Sequence, residues 1–208
     1  MSVISQLATS LDIRNEEPNK VLAKKIVGKN DKAAVNELVK HLSSKDKNIQ
    51  SDCIKVLYEI GEAKPELIAD HDKIFLDLLD NKNNRLVWGA MTALDGIASV
   101  NPTGIHKNLA KILIIADKGS VITKDHGINI LIKLGAIKKY EDNMLTLLLD
   151  QFKDCPTNQL PKYAEDSFSI VTEKFKPKFI KTLQSRLSEI EKDTKKKRVE
   201  KIIKKLQS

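Results

Sequence analysis

Apolar residues along the chain recur three and four positions apart, the period of an amphipathic helix, and the groups themselves recur every 37 residues. In the stretch Arg85 to Pro102, RLVWGAMTALDGIASVNP, residues Ala90, Leu94 and Ile97 share one helix face. One step back lie Cys53, Leu57 and Ile60. Forward steps give Gly127, Leu131 and Leu134, then Ala164, Phe168 and Val171, so one site is always small and two are large and apolar. A second column, Leu38, Phe75, Ile112 and Leu149, keeps the same step and marks a partner helix in each unit. Pro65 and Pro102 also match, each where a partner helix would begin, and proline is tolerated in a first helical turn. Each unit therefore reads as helix, turn, helix, turn.

Two short amphipathic helices leave an apolar face uncovered, so neighbouring units have to stack, and a small residue at 53, 90, 127 and 164 lets helices approach closely. The unit length, the helix pairing and the string LVWGAMTALDGIA resemble the HEAT-repeat family, of HEAT-like or armadillo type. That resemblance implies an all-α fold, a right-handed α-solenoid of about six antiparallel helix pairs with a 37-residue repeat. An ordinary helical bundle with chance periodicity is the competing reading. The pattern predicts one solenoid domain over 1–208: an N-terminal cap pair at 1–30, four regular repeats at 31–175 and a basic C-terminal capping pair at 176–208. In the cap, Val3, Ile4, Leu7 and Leu11 share a face over residues 2–12, and Pro18 opens a second helix expected to end near Gly28.

Composition supports the helical reading: aromatics make up 4% of the 208 residues, and only eight glycines and six prolines occur. No apolar run approaches membrane-spanning length, and the N-terminal residues lack the basic start and apolar stretch of a signal peptide, so a cytoplasmic protein is expected. Cys53 and Cys155 fall in different repeats, which argues against a disulfide framework and for a reducing compartment. Residues 1–171 hold 23 basic and 23 acidic side chains, whereas residues 172–208 hold 13 and 5. The whole net charge of +8 thus falls in the last pair. Lys195, Lys196, Lys197, Arg198, Lys201, Lys204 and Lys205 share a helix whose apolar face is Val199, Ile202, Ile203 and Leu206. These cations form either a solvated outer face of a capping helix or a patch for nucleic acid or another anionic surface.

Recognisable catalytic chemistry is lacking. There is no glycine-rich phosphate loop, and His41, His71, His106 and His126 are isolated from metal-ligand spacings, as are both cysteines. No segment resembles a nucleophile elbow. No cofactor or metal is implied. What remains is the surface that second helices present in the resembled family, a concave side lined by residues between the core positions. By register this surface includes Asn48, Asp52, Lys55 and Glu59, then Arg85, Trp88, Thr92 and Asp95, then His126, Asn129 and Lys133, and finally Lys162, Tyr163 and Asp166. Trp88 beside Arg85 is either an anchor for a partner or a packing residue over the next repeat. The expected function is a non-catalytic scaffold that binds a protein through this groove or edge. The alternatives are nucleic-acid binding through the C-terminal helix and, remotely, an alkylated-base DNA glycosylase, a class that also uses HEAT-like helices. Partner identity and oligomeric state are left open by the sequence.

Overall fold

Short polar side chains at helix starts account for where several of the predicted elements begin. Pro18 stands in the first turn of α1 (Glu17–Lys29), and Asp31 opens α2 (Lys32–His41) by accepting from the Ala34 N–H at 2.9 Å. Asp46 likewise opens α3 (Lys47–Ala63), accepting from the Asn48 N–H at 2.8 Å. α4 (Asp72–Leu78) follows, then α5 (Asn84–Ile97), capped by Asn83, and α6 (Pro102–Lys107), capped by Asn101. The remaining helices are α7 (Leu109–Lys118), α8 (Val121–Gly135), α9 (Glu141–Asp154), α10 (Leu160–Ser167), α11 (Lys176–Arg186) and α12 (Asp193–Gln207). The computed structural model describes residues 2–207, and Met1 and Ser208, the outermost residues of the predicted end pairs, lie outside them. Among the described residues every regular element is an α-helix or a short 3₁₀ turn. Two units emerge, 1–127 and 128–208, with the division inside α8.

In unit 1, α3 is the central element, packing against α1, α2 and α5, while α4 packs on α5. The columns read from the 37-residue step are its core: Leu38, Phe75 and Ile112 are buried, as are Cys53 with Leu57 and Ile60, and Ala90 with Leu94 and Ile97. α3 and α5 also come close where Gly96 faces Gly61. A Cβ on Gly96 would stand 3.2 Å from the backbone carbon and oxygen of Gly61, so a larger residue here would press the two helix backbones apart by a few tenths of an ångström. Burial of Cys53 pushes its thiol up to about 12, which keeps it protonated and inert in the folded protein.

Two expectations are corrected here. Residues 2–12 form no α-helix but two 3₁₀ turns, Ile4–Gln6 and Thr9–Leu11. An α-helix would return the amides of Ala8 and Thr9 to carbonyls four residues back, but these amides donate instead to Asn19 Oδ1 at 3.0 Å and Asp52 Oδ2 at 2.7 Å. Val3 and Leu7 are buried as the pattern requires, but Leu11 is 49% exposed. The second cap helix ends near Gly28 as expected, at Lys29, where Asn30 takes the left-handed conformation (φ 51°) that closes a helix. The partner helices of the middle units are also interrupted. Two 3₁₀ turns, Pro65–Leu67 and Ala69–His71, precede α4, and α6 gives way to α7 at Asn108, whose side-chain amide donates to Gly104 O at 2.9 Å.

In unit 2, α12 packs on α10 and α11, and α9 packs on α11, with Phe152 and Phe179 meeting edge to face at 5.4 Å. Val199, Ile202, Ile203 and Leu206 are the buried face of α12, as their spacing predicts. The fourth copy of the register departs from the others. α10 ends at Ser167, whose hydroxyl donates back to Tyr163 O at 2.7 Å, and the chain tightens into the 3₁₀ turn Phe168–Ile170. Phe168 and Val171 are consequently only half-buried. Arg186, 9% exposed, donates to Phe152 O and Lys153 O at 2.6 Å and to Cys155 O at 3.0 Å, so one guanidinium satisfies the carbonyls at the end of α9.

Candidate binding groove

A groove of about 920 Å³ runs along unit 1, walled by α3, α5 and the start of α8 and bordered by segment 8–16, which contains the 3₁₀ turn Thr9–Leu11. Its lining repeats the 37-residue step. Asn48, Arg85 and Ile122 form one column, and Asp52, Gly89 and His126 form another. Successive second helices therefore present equivalent positions to the same space; the sequence reading named Asn48, Asp52, Arg85 and His126 among them but not Gly89 or Ile122.

The N-terminal border is held by charge and amide chemistry. Asp52 accepts from the Thr9 N–H and, through Oδ1, from Asn19 Nδ2 at 2.8 Å. Lys55 bridges Glu16 at 3.0 Å and Glu59 at 2.7 Å, and its ammonium lies 4.6 Å from the centroid of the Tyr58 ring. Burial alone would lower the Lys55 ammonium, but its bonds to Glu59, Tyr58 and Glu16 outweigh this and hold it above the ordinary lysine value. Burial, opposed by the neighbouring Lys55, raises the Tyr58 phenol. Lys55 is therefore committed internally. Taken together the lining carries Asp12, Glu16, Asp52, Glu59 and Glu62 against Arg14, Lys55 and Arg85, with His126 besides. The groove is more anionic than cationic.

The opposite wall carries Arg85, Trp88, Thr92 and His126. Trp88 is half-buried and lines the groove, so its indole both packs and presents an apolar surface. Thr92 Oγ1 lies 2.9 Å from Trp88 O and 2.9 Å from His126 Nε2, and His126 Nδ1 lies 2.8 Å from Asp95 Oδ2. An ionised carboxylate only accepts, so Nδ1 donates to Asp95, while the single hydroxyl hydrogen of Thr92 serves either Trp88 O or Nε2. Hydroxyl, imidazole and carboxylate in this order are the parts of a nucleophilic triad. Thr92, however, sits in mid-helix, where neighbouring amides are committed to the helix and cannot form an oxyanion hole. The arrangement instead fixes the His126 ring in the groove wall.

Six of the residues expected on this surface, Asp95, Asn129, Lys133, Lys162, Tyr163 and Asp166, do not line the groove. Asp95 is 6% exposed and stands behind the wall, because its carboxylate is drawn in to His126. Tyr163, on α10 of unit 2, is 1% exposed; it belongs to that unit's core, since α10 turns this face inward to α9 and α12. Asn129 and Lys133 are half-buried on the part of α8 that belongs to unit 2, and Lys162 pairs with Asp166 at 2.8 Å. The sequence reading missed Tyr58, Glu62 and the border 8–16. Of these, Tyr58 and Glu62 carried a signal, lying on α3 three and seven residues after Lys55.

On α12, Arg198 donates to both carboxylate oxygens of Glu165, at 2.8 and 2.5 Å, and Lys195 donates to Asn158 O at 3.1 Å. Lys205 lies 5.4 Å from the Phe168 ring centroid. The remaining basic residues, Lys196, Lys197, Lys201 and Lys204, continue along the helix. Among the described residues no group of side chains suits a metal ion, and no helix is long and apolar enough to cross a membrane.

No protein-family model and no curated protein matches this sequence. Solved structures do. A designed armadillo repeat protein in complex with the peptide (KR)4 superposes with a TM-score of 0.63 at 16% identity, over 98% of this chain and 99% of that one. A second designed armadillo repeat protein gives 0.62 at 14% identity, over 98% and 99%. The fold is that of armadillo/HEAT-like repeat proteins. A natural example, the archaeal HEAT-like repeats protein from Thermococcus onnurineus NA1, gives 0.53 at 14% identity over 93% and 97%. In armadillo/HEAT-like terms, the buried columns of unit 1 are the repeat core and the groove is the face between them.

Proposed function

We propose that the protein is a non-catalytic scaffold that binds a partner protein through an extended segment lying in the groove of unit 1. The observation that carries this reading is the groove itself: about 920 Å³, with Trp88, Tyr58, Ile13 and Ile122 offering apolar surface among polar groups at regular intervals. Its excess of carboxylates favours a segment that carries positive charge. The similarity to a designed protein that holds (KR)4 is consistent with this reading. Glycosylase chemistry on DNA would call for a cationic cleft, and the lining is the reverse. A cytoplasmic location belongs to the same proposal and is supported by the two buried thiols, neither in a disulfide.

The test is selection of peptides from a random displayed library on the purified full chain, followed by calorimetry with the enriched sequences. Basic peptides with an apolar residue are expected, and Trp88→Ala is expected to weaken them by about 2 kcal/mol, roughly thirtyfold, with the helical content unchanged. Failure to enrich any sequence, or binding indifferent to Trp88→Ala and Arg85→Ala alike, would overturn the reading.

A further inference from the structure

We propose that the outward face of α12 in unit 2 binds nucleic acid through its phosphate backbone. The structure separates the basic residues of this unit into those already engaged and those not. Lys153, Lys162, Lys174 and Lys176 each meet a carboxylate within 2.8 Å. On α12 itself, Arg198 is held bidentately by Glu165 and Lys195 by a backbone carbonyl. Lys197, Lys201 and Lys204 are exposed, and among the described residues no carboxylate stands within ion-pair distance of them. Lys201 contributes only a longer-range attraction to Glu165.

These three lysines are four and three residues apart, which at 3.6 residues per turn places them within about 60° of one another. They stand directly opposite the buried face formed by Val199, Ile202, Ile203 and Leu206. The rise of the helix spaces their roots by about 6 Å and about 4.5 Å along the axis, and flexible four-carbon stems let each ammonium reach its own phosphate. Unit 2 holds 18 basic and 11 acidic residues, so the stripe lies in a field that is positive overall.

The class of partner follows from what the surface lacks. The large apolar side chains exposed on the described chain, from Leu11 to Ile122, all belong to unit 1. A protein interface draws its energy from buried aromatic and apolar anchors, and a membrane-surface helix inserts an apolar face; α12 has committed its own apolar face to the core. A row of ammonium groups outside any ion pair, with no apolar anchor, suits a polymer whose charge recurs at short intervals. No exposed ring is available for stacking, so binding is electrostatic and indifferent to base sequence.

The experiment titrates the full chain into a fluorescein-labelled mixed-sequence strand and its duplex, following anisotropy from about 50 to about 300 mM salt. Lys197→Ala/Lys201→Ala/Lys204→Ala is compared with Lys153→Ala/Lys162→Ala/Lys174→Ala, which removes the same charge from ion-paired positions. Circular dichroism confirms that both remain helical, as alanine on exposed positions allows. The expected result is wild-type binding whose log–log salt slope on duplex is about −3, one released counterion per stripe lysine, with at least roughly tenfold loss in the stripe variant and retention in the other. Equal loss in the two variants would reduce the effect to net charge and overturn the proposal. So would absence of binding at the lowest salt, or binding to phosphatidylserine vesicles without binding to either nucleic acid.

Discussion

Units 1 and 2 are both built of paired helices on buried apolar faces, yet they face solvent in opposite ways. Unit 1 is nearly neutral, with 18 basic and 17 acidic residues, and it exposes apolar side chains such as Ile13 and Ile122 beside Trp88 at a groove. Unit 2 carries 18 and 11 and exposes no large apolar residue among those described, while one face of α12 is left with unpaired lysines. The contrast teaches that the same helix-pair architecture presents two different surfaces, and the two proposals above rest on that difference. A grooved, mixed surface gains from desolvation and shape; a flat basic one gains from counterion release and weakens with salt.

The units also differ in which sign of charge does structural work, and the largest expected effect tests this. In unit 2 the cation is structural: Arg186 donates to three carbonyls near the end of α9 and to Glu189 at 2.7 Å. Arg186→Ala would leave these carbonyls buried without donors, at a cost of about 3 kcal/mol in urea unfolding. In unit 1 the anion is structural. Asp52→Ala removes the acceptor for the Thr9 amide and the Asn19 side chain, and is expected to cost about 1.5 kcal/mol. Its clearest readout is hydrogen exchange, with amides at 8–13 losing protection while those of α5 keep it. If Asp52→Ala were the more costly of the two, or if its loss spread through α5, the contrast would fail.

Much of this was legible in the sequence, for a definite reason. Columns such as Leu57, Leu94 and Leu131 obey helix periodicity and repeat periodicity together, so burial follows from counting, and the groove columns through Arg85 and His126 follow from the same count. Where competition from side chains overrides local propensity, counting fails. Asn19 and Asp52 capture the amides of Ala8 and Thr9 and replace the predicted N-terminal helix by 3₁₀ turns. At the end of α10 the Ser167 hydroxyl instead donates to the Tyr163 carbonyl, and Phe168 is left half out of the core. The link from Thr92 through His126 to Asp95 joins residues more than thirty positions apart, and Tyr163 is polar enough to suggest a surface yet is turned inward by the packing of α10. Such contacts are properties of the packed array and leave no local signature. Within α12 the spacing showed that seven basic residues share a helix, but only the positions of Glu165 and the Asn158 carbonyl reveal which of them are already engaged.

The smallest expected effect concerns that engagement. Its hydrogen bonds to Arg198 hold the Glu165 carboxyl below the usual range, and the same pairing raises the Arg198 guanidinium. A carboxylate whose folded pKa is depressed contributes stability above its unfolded pKa, near 4.3, and loses that contribution as the pH falls through the folded value. Both side chains are more than a third exposed, so solvent screening limits the pair to about 0.5 kcal/mol. Glu165→Gln should therefore cost about that much at pH 7, and the difference from wild type should close as the pH is lowered below about 4. The same variant sharpens the comparison of the units, because it leaves Arg198 without its anion beside the lysine stripe. Nucleic-acid affinity at low salt should then rise by a few-fold through unit 2, with a steeper salt slope, while peptide binding in the groove of unit 1 stays unchanged. A rise in both, or in neither, would show that the two surfaces are not distinguished by their local charge.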